Sequence, residues 1–202
     1  MKFPFFASFI VFCVWFSYEL HKSRRREENA EESFWEKERR ANSTRRKPLD
    51  DLDYITIPFD DLPMNVLKED PVVSECHSIL HTLSDGPIVN LTGISNTDLK
   101  LKYGAPNIDL LTLYDQRYTS LARTLQKLAK VLYDHDYTEE AKTVLEFAVE
   151  TRTDVSASYK LLAEIYQKDG EKDKIRGLIS VAENLNSALS GHIVEFLNSM
   201  SE

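Results

Sequence analysis

The sequence predicts an all-α protein: a short solenoid of antiparallel helix hairpins behind one apolar N-terminal helix. Three observations carry that expectation. Apolar residues between positions 125 and 182 recur at a fixed offset of 34 residues. From Asp70 onward the punctuation is that of helices, with Asp, Ser or Asn ahead of apolar-periodic runs and Gly behind them. Residues 4–20, PFFASFIVFCVWFSYEL, carry a single charge, Glu19.

The apolar run comes first in the chain. As a helix it spans roughly 26 Å at 1.5 Å per residue, close to the bilayer core of about 30 Å. Trp15 and Tyr18 fall toward one end, where aromatic rings favour an interface. A cleaved signal peptide fits poorly: only Lys2 precedes the run and no Ala-x-Ala-like site follows it. A lipoprotein signal needs a small residue before the modified cysteine, and Phe12 precedes Cys13. The expectation is a single-pass anchor over residues 1–20, meeting the cell membrane through residues 4–20. Lys22, Arg24, Arg25 and Arg26 follow at once, so the C-terminal body is expected on the cytoplasmic side. On that side the triplets NST (42–44) and NLT (90–92) are chance matches to a glycosylation signal.

Residues 21–48 form a charged neck. Residues 22–48 hold ten Lys/Arg and six Glu. Glu32 and Glu36 beside Arg39 and Arg40 support a solvated helix continuing from the membrane, with Phe34 and Trp35 interrupting it. The neck either binds anionic lipid, with Trp35 dipping into the interface, or is a solvated spacer. The interleaved glutamates favour the spacer. Residues 49–70 read as an extended connector, with a short β-type run at Tyr54, Ile55 and Ile57 closed by Pro58.

A helical domain is expected over 71–202. Asp70 caps a helix begun by Pro71, and Asp85-Gly86-Pro87 stops it. Ser95 or Asn96 starts a short helix that Gly104 ends. Pro106 or Asn107 opens the next, which runs to about His135 with a break near Asp115. Leu125, Leu128, Ala129 and Leu132 then recur as Tyr159, Leu162, Ala163 and Tyr166. Ala141, Leu145 and Ala148 recur as Ile175, Ile179 and Ala182, and the turn at Asp136 recurs at Gly170. Small residues let two antiparallel helices nest and large ones fill the seam. One such pair cannot bury both faces alone, so it stacks on its neighbour.

This pattern resembles the tetratricopeptide repeat (TPR) family over two units, about 122–155 and 156–189. DYTEEA looks like the turn and second-helix start of that motif, and KLLAEIYQKDG like the end of its first helix. Ile175 stands where the family has a small residue, no proline closes a unit at Thr153 or Ser187, and the turn DHDY lacks its glycine. Residues 187–200 look like the extra helix that caps such stacks. The resemblance implies a peptide-binding groove along the inner face of each first helix. Here that face presents Arg123, Gln126, Lys127 and Lys130, then Lys160, Glu164 and Gln167. The family's carboxylate-holding asparagines are absent at these positions.

Composition narrows the partners. Residues 49–202 hold fourteen Lys/Arg against twenty-six Asp/Glu, so most of the body repels phosphate and no nucleic-acid partner is expected. A basic strip within that acidic body suits an acidic peptide or a carboxylate terminus. The two cysteines, Cys13 and Cys76, lie in unlike settings and make no disulfide framework. His77 and His81 share a helix face without a third ligand nearby, and His135 falls between two carboxylates at a turn. With no phosphate loop or nucleophile motif, neither an enzyme nor a cofactor nor a metal is expected. The function class that remains is a membrane-anchored protein–protein interaction module, an adaptor or scaffold. The alternative is a helical small-ligand sensor or an accessory subunit of a membrane enzyme or complex.

Overall fold

Thirty-nine consecutive residues without glycine or internal proline, Pro4–Asn42, form one continuous helix, α1. The computed structural model describes residues 4–201, with side chains for residues 9–27 and 30–200. Phe34 and Trp35 do not interrupt the helix; their rings meet edge to face at 5.4 Å between centroids on its surface. Aromatic residues cost a helix only tenths of a kcal/mol, too little to break it. Phe9 to Leu20 expose large apolar side chains, among them Val11 at 68 % and Trp15 at 57 %. The side chains of Pro4–Ser8, the start of the expected anchor, lie outside the described ones. Among the described residues no helix is long and apolar enough to cross a membrane.

The chain divides into two units: residues up to Lys47 with Asn96–Pro106, and Pro48–Ser95 with Asn107 onward. The segment 96–106, grouped with the helical domain by sequence, thus belongs with the neck. It holds α3, Asn96–Tyr103, which packs on α1 and buries Leu99 and Tyr103. Glu38 accepts from Lys100 Nζ and from Thr97 Oγ1, both at 2.6 Å. The Lys100 hydrogen bond holds the Glu38 carboxyl below its ordinary pKa. Lys37 pairs with Asp98 at 2.7 Å. Backbone bonds complete the clasp, Lys47 N–H to Tyr103 O at 3.0 Å and Ala105 N–H to Thr44 O at 3.1 Å. Gly104 ends α3 at φ +95°, and a Cβ there would sit 2.2 Å from Arg45 O.

The second unit holds α2 (Pro71–Ser84), α4 (Ile108–Asp134), α5 (Thr138–Glu150), α6 (Ser156–Lys168), α7 (Lys172–Glu183) and α8 (Ser190–Ser201). Asp70 Oδ1 accepts from Val72 N–H and Val73 N–H at 2.8 and 3.0 Å, the expected cap of α2. Val73, Cys76, Leu80 and Leu83 form its buried face, which packs on α4. The connector lays Ile57 and Leu62 into the core and stacks Phe59 on His81 at 4.5 Å. Its β-type run amounts to one isolated antiparallel bridge, Tyr54 with Val89; no strand forms among the described residues. Helix α4 runs through Asp115 without the expected break. The Asp115 carboxylate is spent on Leu91 N–H at 3.1 Å, holding the 88–94 loop.

Consecutive helices from α4 to α8 pack against one another. Leu125, Leu128, Ala129, Leu132, Ala141, Leu145, Ala148, Tyr159, Leu162, Ala163, Ile175 and Ala182 are fully buried. Tyr166 is buried and Ile179 partly so. The turns recur as well. Tyr137 N–H reaches Leu132 O at 2.9 Å, and 34 residues on Glu171 N–H reaches Tyr166 O at 2.8 Å. Both are Schellman closures with a left-handed residue inside, Asp136 at φ +66° and Gly170 at φ +74°. Lys142, only 14 % exposed, spans from α5 to the second turn, pairing with Glu139 at 3.0 Å and Asp169 at 2.9 Å. Those two hydrogen bonds, Asp169 first, raise its pKa.

The two glycines separate backbone strain from collision. Gly170→Ala places a Cβ in open space, so only the left-handed backbone resists it, at about 1 kcal/mol. Gly104→Ala adds a collision with backbone and is expected to cost at least about 2 kcal/mol. Urea unfolding reads the first. Loss of hydrogen-exchange protection in α3, with the hairpins unaffected, reads the second.

Candidate functional site

The expected groove residues are placed as follows. Arg123, Lys127, Lys130, Lys160, Glu164 and Gln167 are exposed and Gln126 is half-buried. Much of the cationic strip is already engaged. Lys127 Nζ lies 2.6 Å from Glu75 on α2, and Lys130 pairs with Asp134 one turn on. Lys160 Nζ sits 5.1 Å above the Phe196 ring of α8. Each first helix therefore has a neighbour on this side, α2 for α4 and α8 for α6. Among the described residues Arg123 is the groove cation with neither a carboxylate nor an aromatic ring against it.

A separate cleft of about 370 Å³ opens where four connections converge. The segment 53–56 forms one wall, the 90–94 loop another, the α5–α6 turn a third and the α7–α8 connection a fourth. Its frame is built from side chain to backbone bonds. Asn90 Nδ2 donates to Thr151 O and Arg152 O, both at 3.1 Å, while its Oδ1 accepts from Thr92 N–H at 3.0 Å. Tyr118 OH donates to Thr151 O at 3.2 Å. Ser187 Oγ donates to Asp154 at 2.7 Å. Gly93, at φ +78°, lies so close to the α7–α8 connection that a Cβ would stand 1.9 Å from Asn186 O.

Arg152 is the anomaly of this cleft. It closes α5 in a third Schellman turn, Thr153 N–H to Ala148 O at 3.3 Å, with φ +58°. Glycine is the usual residue there because a Cβ costs about 1 kcal/mol in the left-handed region. Arg152 lines the cleft together with the acidic residues Asp53, Glu150 and Asp154. The lining is thus amide- and hydroxyl-rich, with both charges and apolar backing from Ile55, Ile94 and Phe147. It suits a small polar ligand or an extended stretch of main chain.

Sequence reasoning named none of these residues as a site. Asn90 entered only through its glycosylation-like triplet, and its amide nitrogen is occupied by two carbonyls. Asn42 of the other triplet accepts from Lys100 Nζ at 2.8 Å. His77 is half-buried, and burial, with His81 and Lys68 nearby, holds its pKa down. His135 Nε2 lies 4.0 Å from the capping Asp70. No group of three His, Cys, Asp or Glu among the described residues could hold a metal. Cys76 is buried, which raises its thiol pKa. Neither protein-family models, nor curated proteins, nor solved structures yield a match to the chain.

Two predictions follow from the turn. Arg152→Gly relieves the left-handed strain and is expected to raise stability by about 0.5–1 kcal/mol, whereas Asn90→Ala removes the donor to Arg152 O, one of two donors to Thr151 O and the acceptor of Thr92 N–H, and costs about 2 kcal/mol. Urea midpoints measure both. The second concerns pH. Burial pushes the Tyr118 hydroxyl up to about 12 from 10.0, and burial likewise raises Tyr159 and Tyr166. A raised folded pKa contributes stability that is complete below pH 10 and is lost as pH climbs toward 12. The urea midpoint should therefore fall across that window, and Tyr118→Phe should make the fall shallower.

Proposed function

We propose that this chain is a membrane-anchored interaction module, non-enzymatic, with its hairpin body on the cytoplasmic side. The observation that carries the reading is the bare apolar surface of α1. From Phe9 to Leu20 it turns large apolar side chains outward on every side, which water does not reward. A helix that is hydrophobic all round belongs inside a core or a bilayer. Residues 4–20 serve as the anchor in this reading, and the Lys22–Arg26 cluster holds the following chain in the cytoplasm.

The hairpin body is read as a short TPR-like solenoid. The 34-residue recurrence of buried positions and of left-handed turns supports that reading. Its role is to hold a segment of a partner protein, as an adaptor or scaffold. Arg123, with its charge uncompensated, is the cation best placed to take an acidic partner along the groove face of α4. A second reading, a sensor of a small ligand or an accessory subunit, is favoured by one specific observation. Arg152 occupies a strained position facing a ready-made polar cleft, and strain of this kind concentrates at functional sites.

Membranes from cells making the full chain test the anchor. The protein is expected to resist alkaline carbonate extraction, and its C-terminal body to be digested only in inside-out vesicles. For the body, cross-linking in those membranes is expected to capture a stoichiometric protein partner. Arg123→Glu with Lys127→Gln should abolish that capture, whereas Arg152→Gln should not. The opposite pattern, capture insensitive to Arg123 and a ligand-induced rise in melting temperature lost with Arg152, assigns the role to the cleft.

A further inference from the structure

The continuity of α1 sorts the neck's charges by depth, which the one-dimensional sequence leaves mixed. At 1.5 Å per residue, Lys22 lies about 3 Å beyond Leu20 along the axis and Arg26 about 9 Å beyond it. That interval matches the headgroup layer, which adds about 5–8 Å to each side of the hydrocarbon core. Within it stand Lys22, Arg24, Arg25 and Arg26, all exposed, and no carboxylate. At about 100° per residue, with Lys22 as the origin, Arg24, Arg25 and Arg26 point to about 200°, 300° and 40°, so the cations cover a little over half of the circumference and leave open the arc around Ser23, whose hydroxyl donates to Glu27 at 3.5 Å. Glu19, on the core side, takes only a loose 3.7 Å contact with Lys22. The glutamates that follow begin about 10 Å out at Glu27, and Glu31 and Glu32 stand about 16–18 Å out. The lipid surface potential decays over a Debye length of about 8 Å, so the outer glutamates barely oppose it.

We propose that Lys22, Arg24, Arg25 and Arg26 form a partial ring at headgroup level that selects anionic phospholipids on the face of the helix it covers. The proposal rests on the anchor reading above. The same geometry removes Trp35 from the interface. About 22 Å beyond Leu20, it stands clear of the headgroups on an upright helix, and its indole N–H donates to Glu31 at 3.3 Å. Of the interleaved acid that favoured the solvated spacer, Glu31 and Glu32 lie too far out to cancel the ring, and Glu27, one turn from Arg24, opposes it only in part.

The test uses the full chain reconstituted in phosphatidylcholine vesicles with a minority of phosphatidylglycerol. Spin-labelled versions of the two lipids report which is motionally restricted against the protein. The expected result is about fivefold enrichment of phosphatidylglycerol in the restricted fraction, falling at high salt. Arg24→Gln, Arg25→Gln and Arg26→Gln together should bring the ratio close to unity. Glu31→Gln with Glu32→Gln should leave it where it was, because those carboxylates are out of range. Equal restriction of both lipids by the wild type overturns the ring. So does a triple variant that keeps the preference, or a glutamate pair whose removal shifts it as much as the arginines do. In those cases stable incorporation leaves the anchor standing. A chain that carbonate strips from the vesicles overturns the anchor and the ring with it.

Discussion

Close approach of helices at alanine is the constraint on which the hairpin body rests. Ala129, Ala141, Ala148, Ala163 and Ala182 are all fully buried, in one core cluster with leucine, isoleucine and tyrosine side chains. A small residue on one helix makes room for a large one on its neighbour, and close packing then leaves little tolerance for either to change. The constraint propagates into the turns. Helices held this close need tight reversals, and three Schellman closures provide them, with Asp136, Arg152 and Gly170 in left-handed conformations. Only Gly170 adopts that conformation without cost. The other two are stabilised by the packing on either side of them, and the Arg152 turn also by Asn90.

The cleft follows from the same economy. A helix that ends in a tight turn leaves carbonyls to be satisfied, and at α5 they are satisfied from outside by Asn90 and Tyr118. Drawing those donors in brings the 90–94 loop over the turn, and Gly93 lets it reach the α7–α8 connection. The space left among these connections is the cleft. It is therefore a by-product of capping, with one exception. Arg152 is not required by capping and carries a backbone penalty there.

What the sequence made legible was periodic. The 34-residue spacing, the Asp70 cap, the stops at Asp85 and Gly104 and the helix after Ser187 each rest on contacts within a few residues of one another, or on a repeating apolar face. What it hid was aperiodic and long-range. The clasp of α3 on α1 depends on Glu38 meeting Lys100 and Thr97 some sixty positions away, and the short α3 announces its buried face with Leu99 and Tyr103 alone. No break forms at Asp115 because its carboxylate answers Leu91 N–H, 24 positions away, and leaves the helix ladder intact. The cleft draws on four connections that share no spacing. Arg152 could have drawn notice only through its position, 34 residues before Asn186 and 16 after Asp136, since side-chain type does not reveal a positive φ.

Helix α1 shows the same limit from the other side. A count of charges treats Arg24–Arg26 and Glu27–Glu32 as neighbours that cancel, which holds for a flexible chain whose segments mix within a Debye length. A rigid helix forbids the mixing. It fixes each charge at its own height, so the arginines stand next to the apolar run while Glu31 and Glu32 stand about a Debye length farther out; Glu27, one turn from Arg24, stays within reach of them. Whether the neck is neutral or strongly polarised is therefore decided by one property, unbroken helicity from Pro4 to Asn42. A single hinge near Glu27 would let the glutamates fold back over the arginines and erase the separation that composition alone cannot see.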